Sequence, residues 1–293
     1  MIRYPITKTK LHAEITNVDA KWFTNTANDL ANLPANPAGT DFKPRWSKIK
    51  QVYIDLQCSK CCFCEKPLEG KIEQDVEHFR PKAEVKPWNV PAKLVAEGVT
   101  VKQPANGASE PGYTRLPYEP FNYAMSCKTC NSTLKKNLFP IEGTRDSAGT
   151  DPSQMGGEQA LFIYPIGTID TDPEQLIEFD ALSPVPKHKT GFGRRRAMVT
   201  IEVFGLGNPK LRRLFQYRAV FVRLLFLDLE GKANATSPAK KAKHQIAIDN
   251  LTSPHTPFTN CLRSFERLYG SDPVRAEQIA DECLKFMNSK STH

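Results

Sequence analysis

The sequence predicts an α+β protein that combines a cysteine-rich core with a mostly helical C-terminal region. Two Cys-x-x-Cys units, Cys61/Cys64 and Cys127/Cys130, can hold short strands and loops around one zinc ion. In the last third of the chain, capping residues followed by proline precede apolar helical faces, which predicts several helices. The chain has 293 residues, of which 40% are hydrophobic and 25% are charged. This composition excludes a fully disordered or fibrous protein.

Shifts in composition divide the chain into four expected segments. These are an N-terminal segment at 1–41, a cysteine-bearing domain at 42–145 with a Pro/Gly-rich insertion at 86–117, an acidic connecting segment at 146–194, and a helical region at 195–293. We expect the insertion to be irregular rather than a packed element. In the acidic segment, Leu161–Tyr164 predicts a short strand.

Two kinds of signal predict the helices. Ahead of the first cysteines, apolar residues between Trp46 and Leu56 recur at helical spacing. In the helical region, a capping residue and a proline mark four helix starts. The four pairs are Asn208-Pro209, Ser237-Pro238, Thr256-Pro257 and Asp272-Pro273. Gly231 and Gly270 are expected to end the first and the third of these helices.

Charge is distributed unevenly along the chain. The formal net charge is +8, yet residues 146–186 carry eight acidic and no basic side chains, whereas residues 187–245 carry fourteen basic and three acidic ones. The second block can bind a phosphate backbone and attract a polyanion, or it can be an ordinary solvated helix face. Charge therefore favours nucleic acid as a partner but does not identify a function.

The sequence has no segment typical of a membrane span or a targeting signal. Its most apolar stretch, Ala219–Leu229, is short and contains Arg223 and Asp228. Residues Met1–Pro5 lack the apolar core of a signal peptide, so we expect a cytoplasmic protein without a membrane partner. In that compartment, eight cysteines indicate metal or redox chemistry rather than disulfides.

The two Cys-x-x-Cys units are typical of a structural zinc site. Four thiolates can surround zinc tetrahedrally, and the two-residue spacing allows tight turns whose amides contact the sulfurs. Cys127 and Cys130 form one half of the site. The other half is either Cys61 with Cys64 or Cys58 with Cys61, because both pairs have the required spacing. The intervening 62 residues exceed the usual zinc-ribbon spacing, but the cost of loop closure grows only logarithmically with length.

A Glu-His pair lies between the two cysteine units. His78 can take a proton from water as a neutral imidazole. Glu77 points to the opposite side of an extended segment, where it can hold a divalent cation or remain solvated. Asn131, directly after the second cysteine unit, can offer an amide oxygen to the same cation or can cap a helix.

Taken together, these residues resemble an HNH endonuclease of the zinc-stabilised ββα-metal class. The similarity rests on Glu77-His78, Asn122, Cys127-x-x-Cys130-Asn131 and Lys135. A wider set of motifs resembles the PtuB-like HNH component of Septu-type and retron-associated anti-phage defence systems. That set comprises Cys61-Cys-Phe-Cys64-Glu65, Val76-Glu-His-Phe-Arg-Pro-Lys82, and Ser126-Cys-x-x-Cys-Asn131 with Phe139-Pro140.

The resemblance implies a ββα-metal HNH core with a structural zinc ion, and a role for each motif residue. His78 would be the general base that activates water, and Asn122 would orient the His78 ring by hydrogen bonding. Glu77 and Asn131 would hold a catalytic Mg²⁺ or Mn²⁺ ion. The remaining implied residues are the zinc ligands Cys61, Cys64, Cys127 and Cys130, and the nucleic-acid contacts Arg80, Lys82, Lys135 and Lys136.

The implied function is metal-dependent hydrolysis of phosphodiester bonds in nucleic acid, with DNA favoured over RNA, as the effector subunit of a bacterial anti-phage complex. The resemblance also implies an ATPase subunit as partner. The alternative is a catalytically silent zinc module that binds nucleic acid or scaffolds a complex; Glu77, His78 and Asn131 together argue against it. A thiol oxidoreductase agrees with Cys-x-x-Cys but lacks the expected βαβ context.

Overall fold

A computed structural model describes residues 1–288 of the chain. These residues form a mixed α/β structure in which about half of the residues are helical and the strands form three two-stranded antiparallel sheets. The α-helices are α1 (Lys8–Val18), α2 (Trp22–Ala31), α3 (Lys50–Leu56), α4 (Ala92–Ala96), α5 (Pro173–Leu176), α6 (Gly191–Val203), α7 (Arg212–Ala233), α8 (Pro238–Leu251), α9 (Thr259–Ser271) and α10 (Pro273–Asn288). The strands are β1 (Asp75–His78), β2 (Glu84–Val85), β3 (Glu110–Pro111), β4 (Tyr123–Ser126), β5 (Ile177–Asp180) and β6 (Ser183–Pro186), and a π-helix (Thr129–Lys135) follows β4.

Local sequence signals account for where several helices begin. Ser237 caps α8 by accepting a hydrogen bond from Lys240 N at 3.3 Å, and Asp272 caps α10 by accepting one from Arg275 N at 2.9 Å. The apolar pattern before the cysteines forms a short 3₁₀-helix, Arg45–Ile49, that continues into α3. These elements agree with the sequence prediction.

Three predicted helix boundaries are wrong. α7 begins at Arg212, because the Asn208-Pro209 segment forms a turn before it. α9 begins at Thr259, since the side chain of Thr256 donates to Asn250 O instead of capping a helix. Gly231 lies inside α7 rather than ending it, and a Cβ there would lie 2.3 Å from the His244 ring. This glycine therefore provides space for a side chain of α8.

The expected strand at Leu161–Tyr164 is absent from the structure described for residues 1–288. The segment is buried, but its backbone amides have unrelated partners. Leu161 N donates to Pro140 O, whereas Tyr164 N donates to the carboxylate of Asp170. Because these partners do not belong to one strand, no ladder forms.

Buried apolar side chains form two clusters. We name the first the cysteine-centred core. It is built from residues between Met1 and Leu206 and surrounds β1 and β4. It includes Cys61, Cys62, Cys64, Cys127 and Cys130, whereas Cys58 is half-buried and lies outside it. The second, which we name the helical core, lies among α7, α8, α9 and α10. Among residues 1–288, no helix combines the length and the apolar character needed to cross a bilayer.

The Pro/Gly-rich insertion is mostly irregular, as predicted, but it is packed against the cysteine-centred core. It buries Leu94, Val99, Tyr113 and Leu116, each at most 4% exposed. The expectation that the insertion is not a packed element is therefore wrong. The backbone of Gly112 lies close to that of Ala83. A Cβ added to residue 112 would lie 2.5 Å from the carbonyl carbon of Ala83, so only glycine allows this approach.

Candidate functional site

Strands β1 and β4 form the frame of the candidate site. They pair antiparallel, with Glu77 opposite Ala124 and His78 opposite Tyr123. Since side chains alternate along a strand, Asp75 and Glu77 share one face of β1 and His78 points to the other. Two residues separate β4 from the π-helix, so the helix that carries Asn131 and Lys135 begins close to this strand pair.

The four predicted cysteine ligands lie together. The Sγ atoms of Cys61, Cys64, Cys127 and Cys130 are all within 4.8 Å of one another, and all four residues are buried. Zn–S bonds of about 2.3 Å in a tetrahedron place the sulfurs about 3.8 Å apart. The distance between Cys64 Sγ and Cys127 Sγ is 3.9 Å. The cluster therefore has the donor set and the spacing to hold zinc, whereas Cys58, the alternative partner of Cys61, is half-buried and lies outside it.

The buried side chain of Gln57 fixes the first cysteine pair to β4. Its Nε2 donates to the carbonyl oxygens of Lys60 and Met125, and its Oε1 accepts a hydrogen bond from Met125 N. Both amide hydrogens are thus used, as burial of the group requires. A further bond runs from Cys62 N to Met125 O at 2.9 Å. The cysteine turn is consequently held against the strand pair that carries the Glu-His pair.

Glu77 is buried in an ion pair with Lys135. The Glu77 carboxylate contacts Lys135 Nζ, which also donates to His78 O at 3.1 Å. The two side chains are 3% and 0% exposed. Burial raises the pKa of Glu77, and the positive charges of Lys135 and Lys82 oppose that shift. Cationic groups therefore compensate a carboxylate that would otherwise be costly to bury.

Asn131 lies against the beginning of β1. Its Nδ2 donates to Asp75 Oδ2 at 3.3 Å, and Ser132 Oγ donates to the same oxygen at 3.2 Å. Because Nδ2 is directed at Asp75, the oxygen of the Asn131 amide faces away from this carboxylate. One turn later Lys135 contacts Glu77, so the same helix touches both carboxylates of β1. Carboxylate and amide oxygens are the ligands that Mg²⁺ and Mn²⁺ prefer.

The ring of His78 is fixed on the opposite face of β1. Its Nε2 lies 3.1 Å from Pro117 O, which can only accept, so Nε2 carries the proton and Nδ1 is the basic nitrogen. Trp46 and Tyr123 pack edge-on against the ring, with centroids at 4.6 and 5.0 Å. Burial and the charge of Lys82 hold the pKa of His78 well below its usual value. The imidazole is therefore neutral at neutral pH.

Asn122 differs from its expected role. It was predicted to orient the His78 ring by hydrogen bonding, but its Oδ1 accepts from Arg80 N and its Nδ2 donates to Arg80 O and Leu116 O. These three bonds use both amide hydrogens, and among residues 1–288 no hydrogen bond joins the Asn122 amide to the imidazole. The ring is oriented by Pro117 O instead, and Asn122 fixes the backbone that follows β1.

The four expected phosphate contacts fall into two groups. Arg80 is 6% exposed and pairs with Glu158 at 2.8 Å, and Lys135 is enclosed by its contacts with Glu77 and His78. As these two side chains are buried, they do not form a phosphate-binding surface in this conformation. Lys82 is half-buried with its Nζ 4.8 Å from the Trp46 ring centre, and Lys136 is exposed. Of these four residues, Lys82 and Lys136 are the ones whose charged groups are accessible to solvent.

The basic block at 187–245 is not one continuous surface. Its first three arginines, on α6, form ion pairs with acidic residues from other parts of the chain. The pairs are Arg194 with Glu97, Arg195 with Glu142, and Arg196 with Asp170. Arg218 is buried and donates to backbone carbonyls. The exposed charges of the block lie at Lys187 and Lys189 before α6, around α7 and at the start of α8.

Sequence reasoning missed three residues that shape the site. Asp75 contacts Asn131, Gln57 ties the cysteine turn to β4, and Pro117 O orients the His78 ring. Asp75 lies two residues before Glu77. Because side chains alternate along a strand, this spacing could have predicted that the two carboxylates share one face. The other two act through long-range contacts with backbone atoms, which no local pattern indicates.

The chain is similar to the Septu protein PtuB of Bacillus mycoides (strain KBAB4), with 29% identity over 163 residues. The matched region is 56% of this chain and 48% of the relative, so the chain spans about half the length of the curated relative it matches. The predicted resemblance to a PtuB-like Septu component is confirmed by this similarity. No protein-family model matches the chain. No solved structure matches it either.

Proposed function

We propose that this protein is a metal-dependent HNH endonuclease that hydrolyses phosphodiester bonds in nucleic acid, with DNA favoured, within a bacterial anti-phage defence system. The observation that carries the proposal is the arrangement around β1. A neutral imidazole and a buried carboxylate occupy adjacent positions of one strand, and a helix tied to a four-thiol cluster places Asn131 beside that strand. The similarity to a Septu protein supports the assignment to defence.

In the proposed reaction, His78 is the general base. Its Nδ1 takes a proton from the attacking water, while Pro117 O holds the other ring nitrogen and so fixes the direction of the ring. Asn122 keeps the backbone after His78 in place through its bonds to Arg80. The low pKa of His78 keeps the ring unprotonated at neutral pH, as a base must be.

Glu77 and Asn131 are the proposed holders of Mg²⁺ or Mn²⁺. When bound, such an ion stabilises the charge that develops on the phosphate and on the leaving oxygen. Asp75 orients the Asn131 amide through a hydrogen bond. Lys135 balances the negative charge of Glu77 when no metal ion is bound to this carboxylate. Lys82 and Lys136 are the proposed contacts to the phosphate backbone.

Cys61, Cys64, Cys127 and Cys130 are the proposed ligands of a structural zinc ion. They join the turn after α3 to the segment between β4 and the π-helix. This link sets the position of the helix relative to β1, and with it the distance between Asn131 and the carboxylates. The zinc ion is thus expected to act on catalysis only through the fold.

A catalytically silent zinc module is the second candidate, and the presence of His78, Glu77 and Asn131 together around β1 argues against it. A module that only binds or scaffolds needs none of these three side chains. An ATPase subunit is retained as the proposed partner of the defence complex.

The test compares wild type with His78→Ala on supercoiled plasmid, single-stranded DNA and tRNA, each with and without Mg²⁺. We expect cleavage by wild type only with the cation, and a rate at least about 100-fold lower for His78→Ala. Zinc content and circular dichroism should not change. His255→Ala is the matched control, because His255 is exposed on the connection between α8 and α9 and should leave the rate unchanged. Equal cleavage by His78→Ala would exclude the proposed base.

A further inference from the structure

The outward side of α7 carries an apolar stripe that is about half exposed. At its first end, the Tyr217 ring stacks on that of Phe258, with 6.5 Å between the ring centroids. Tyr217, Val220, Leu224 and Leu227 are 44%, 42%, 46% and 52% exposed, although α7 buries its opposite side in the helical core. Their spacing of three, four and three residues aligns them along one line of the helix. At 1.5 Å per residue, the stripe is about 15 Å long. We name these four residues the α7 stripe.

Positive charge lies at both ends of the α7 stripe. Lys210 and Arg213 lie at the beginning of α7, and Lys232, Lys240, Lys241 and Lys243 lie near its end and on the first turns of α8. All six are exposed, and none forms an ion pair with another of the described residues. The two acidic residues at the same end of α7 are engaged, since Asp228 contacts His244 and Glu230 accepts from Tyr269. Six exposed cationic side chains therefore lie at the ends of the stripe, against these two carboxylates.

A groove of about 730 Å³ opens next to Tyr217 at the first end of the stripe. It lies between α7 and the cysteine cluster and is lined by apolar side chains that include Leu134, Leu214 and Phe258. Lys210 and Arg213 line it as well, together with Glu69 and with Glu73, which pairs with Lys66. The groove extends the apolar surface and gives room for a large side chain.

We propose that the α7 stripe docks an acidic amphipathic α-helix of a partner protein. Apolar residues at the same three-four spacing on the partner would pack along the stripe, which is a recurrent mode of peptide recognition. Acidic residues flanking that face would meet the lysines and the arginine at both ends. A second copy of this chain would instead bring the same positive charges together, and a nucleic-acid backbone would leave the four apolar side chains in water. The four residues of the α7 stripe are not part of the proposed nuclease site, although the groove beside the stripe reaches the cysteine cluster.

The probe is a fluorescein-labelled synthetic helix of about four heptads with leucine at the stripe spacing and glutamate on both flanks. Two comparison peptides carry lysine in place of glutamate, or the same residues with the leucines spread around the helix. Fluorescence anisotropy with full-length protein should show the tightest binding for the first peptide. The double variant Leu224→Glu/Leu227→Glu should weaken that binding at least about 10-fold.

Val18→Glu is the matched control, since Val18 is a 51% exposed apolar residue at the end of α1. It should change the dissociation constant by less than about twofold. The proposal is overturned if the glutamate peptide does not bind, or if either comparison peptide binds as tightly. It is also overturned if light scattering shows a dimer that Leu224→Glu/Leu227→Glu dissociates, or if a DNA duplex displaces the peptide from wild type.

Discussion

The cysteine-centred core and the helical core differ in the polar groups that they bury. In the first, charged side chains are enclosed as pairs, such as Glu77 with Lys135 and Arg80 with Glu158. In the second, apolar faces of four helices meet, and the buried Arg218 donates to backbone carbonyl groups rather than to a carboxylate. Reactive side chains are thus concentrated in one region, and the other offers a helical face to its surroundings.

This difference separates the sources of stability in the two regions. A buried ion pair adds little net stability, because desolvation offsets most of the attraction. Buried apolar area contributes about 25 cal/mol per Å² without a ligand. Both cores bury apolar side chains, and the cysteine-centred core has in addition four clustered thiols, where a bound zinc ion would add to its stability. Within residues 1–288, the helical core has no such cluster of ligands.

The largest expected effect comes from removing one thiol of the cluster. Cys127→Ser should lower zinc content from about one ion per chain to a small fraction of that value. The free energy of unfolding should fall by at least about 5 kcal/mol, because metal binding and folding of the core are coupled. Metal analysis by mass spectrometry and urea denaturation measure the two quantities.

Cys261→Ala is the matched control for this variant. Cys261 is a buried cysteine of the helical core, and burial raises the pKa of its thiol to about 12, so the thiol stays protonated. Its removal should cost about 1 kcal/mol and leave zinc content unchanged. A Cys127→Ser protein with full zinc and wild-type stability would remove the basis for distinguishing the two cores.

A smaller effect is expected from a cavity in the helical core. Leu225 on α7 is fully buried, and Leu225→Ala should lower the free energy of unfolding by about 2–5 kcal/mol while zinc content stays the same. Leu227→Ala, on the same helix but 52% exposed, should cost less than about 0.5 kcal/mol. Loss of zinc from Leu225→Ala before unfolding would mean that the two cores do not respond independently.

The grouping of four cysteines could be predicted from the sequence because its spacing is a geometric constraint in itself. Two residues between a pair of cysteines form a tight turn that brings both thiols to one metal ion, and this local geometry does not depend on distant parts of the chain. The choice between Cys58 and Cys64 could not be made in this way, since both lie three positions from Cys61. It depends on the backbone around Cys58, which has a positive φ and places this residue outside the cluster.

The environment of the basic residues could not be predicted from local sequence. Arg80 follows the Glu-His pair as a phosphate contact would, yet its partner Glu158 lies 78 positions further along the chain. The arginines of α6 likewise pair with distant acids. A run of positive charge defines a surface only when the fold leaves the charges unpaired, and sequence alone does not contain that information.

The smallest expected effect comes from Asp75→Asn. It tests whether a substitution in the cysteine-centred core can weaken metal binding without lowering the free energy of unfolding. Asp75 is half-buried and accepts hydrogen bonds from Asn131 and Ser132, so Asp75→Asn keeps the shape of the side chain while removing its charge. The variant should bind Mn²⁺ about 10-fold more weakly, because a group behind a metal ligand typically affects affinity to this extent. Its stability should change by less than about 1 kcal/mol. Isothermal titration calorimetry and urea denaturation measure the two changes.

Ser132→Ala is the control for Asp75→Asn, since it removes the other hydrogen bond to Asp75 but leaves the contact with Asn131. Its affinity for Mn²⁺ should stay within about twofold of wild type. Equal Mn²⁺ affinity of Asp75→Asn and wild type would show that the Asn131 amide does not need this carboxylate. Equal weakening by both variants would assign the effect to the hydrogen bond between Ser132 and Asp75, which both substitutions alter.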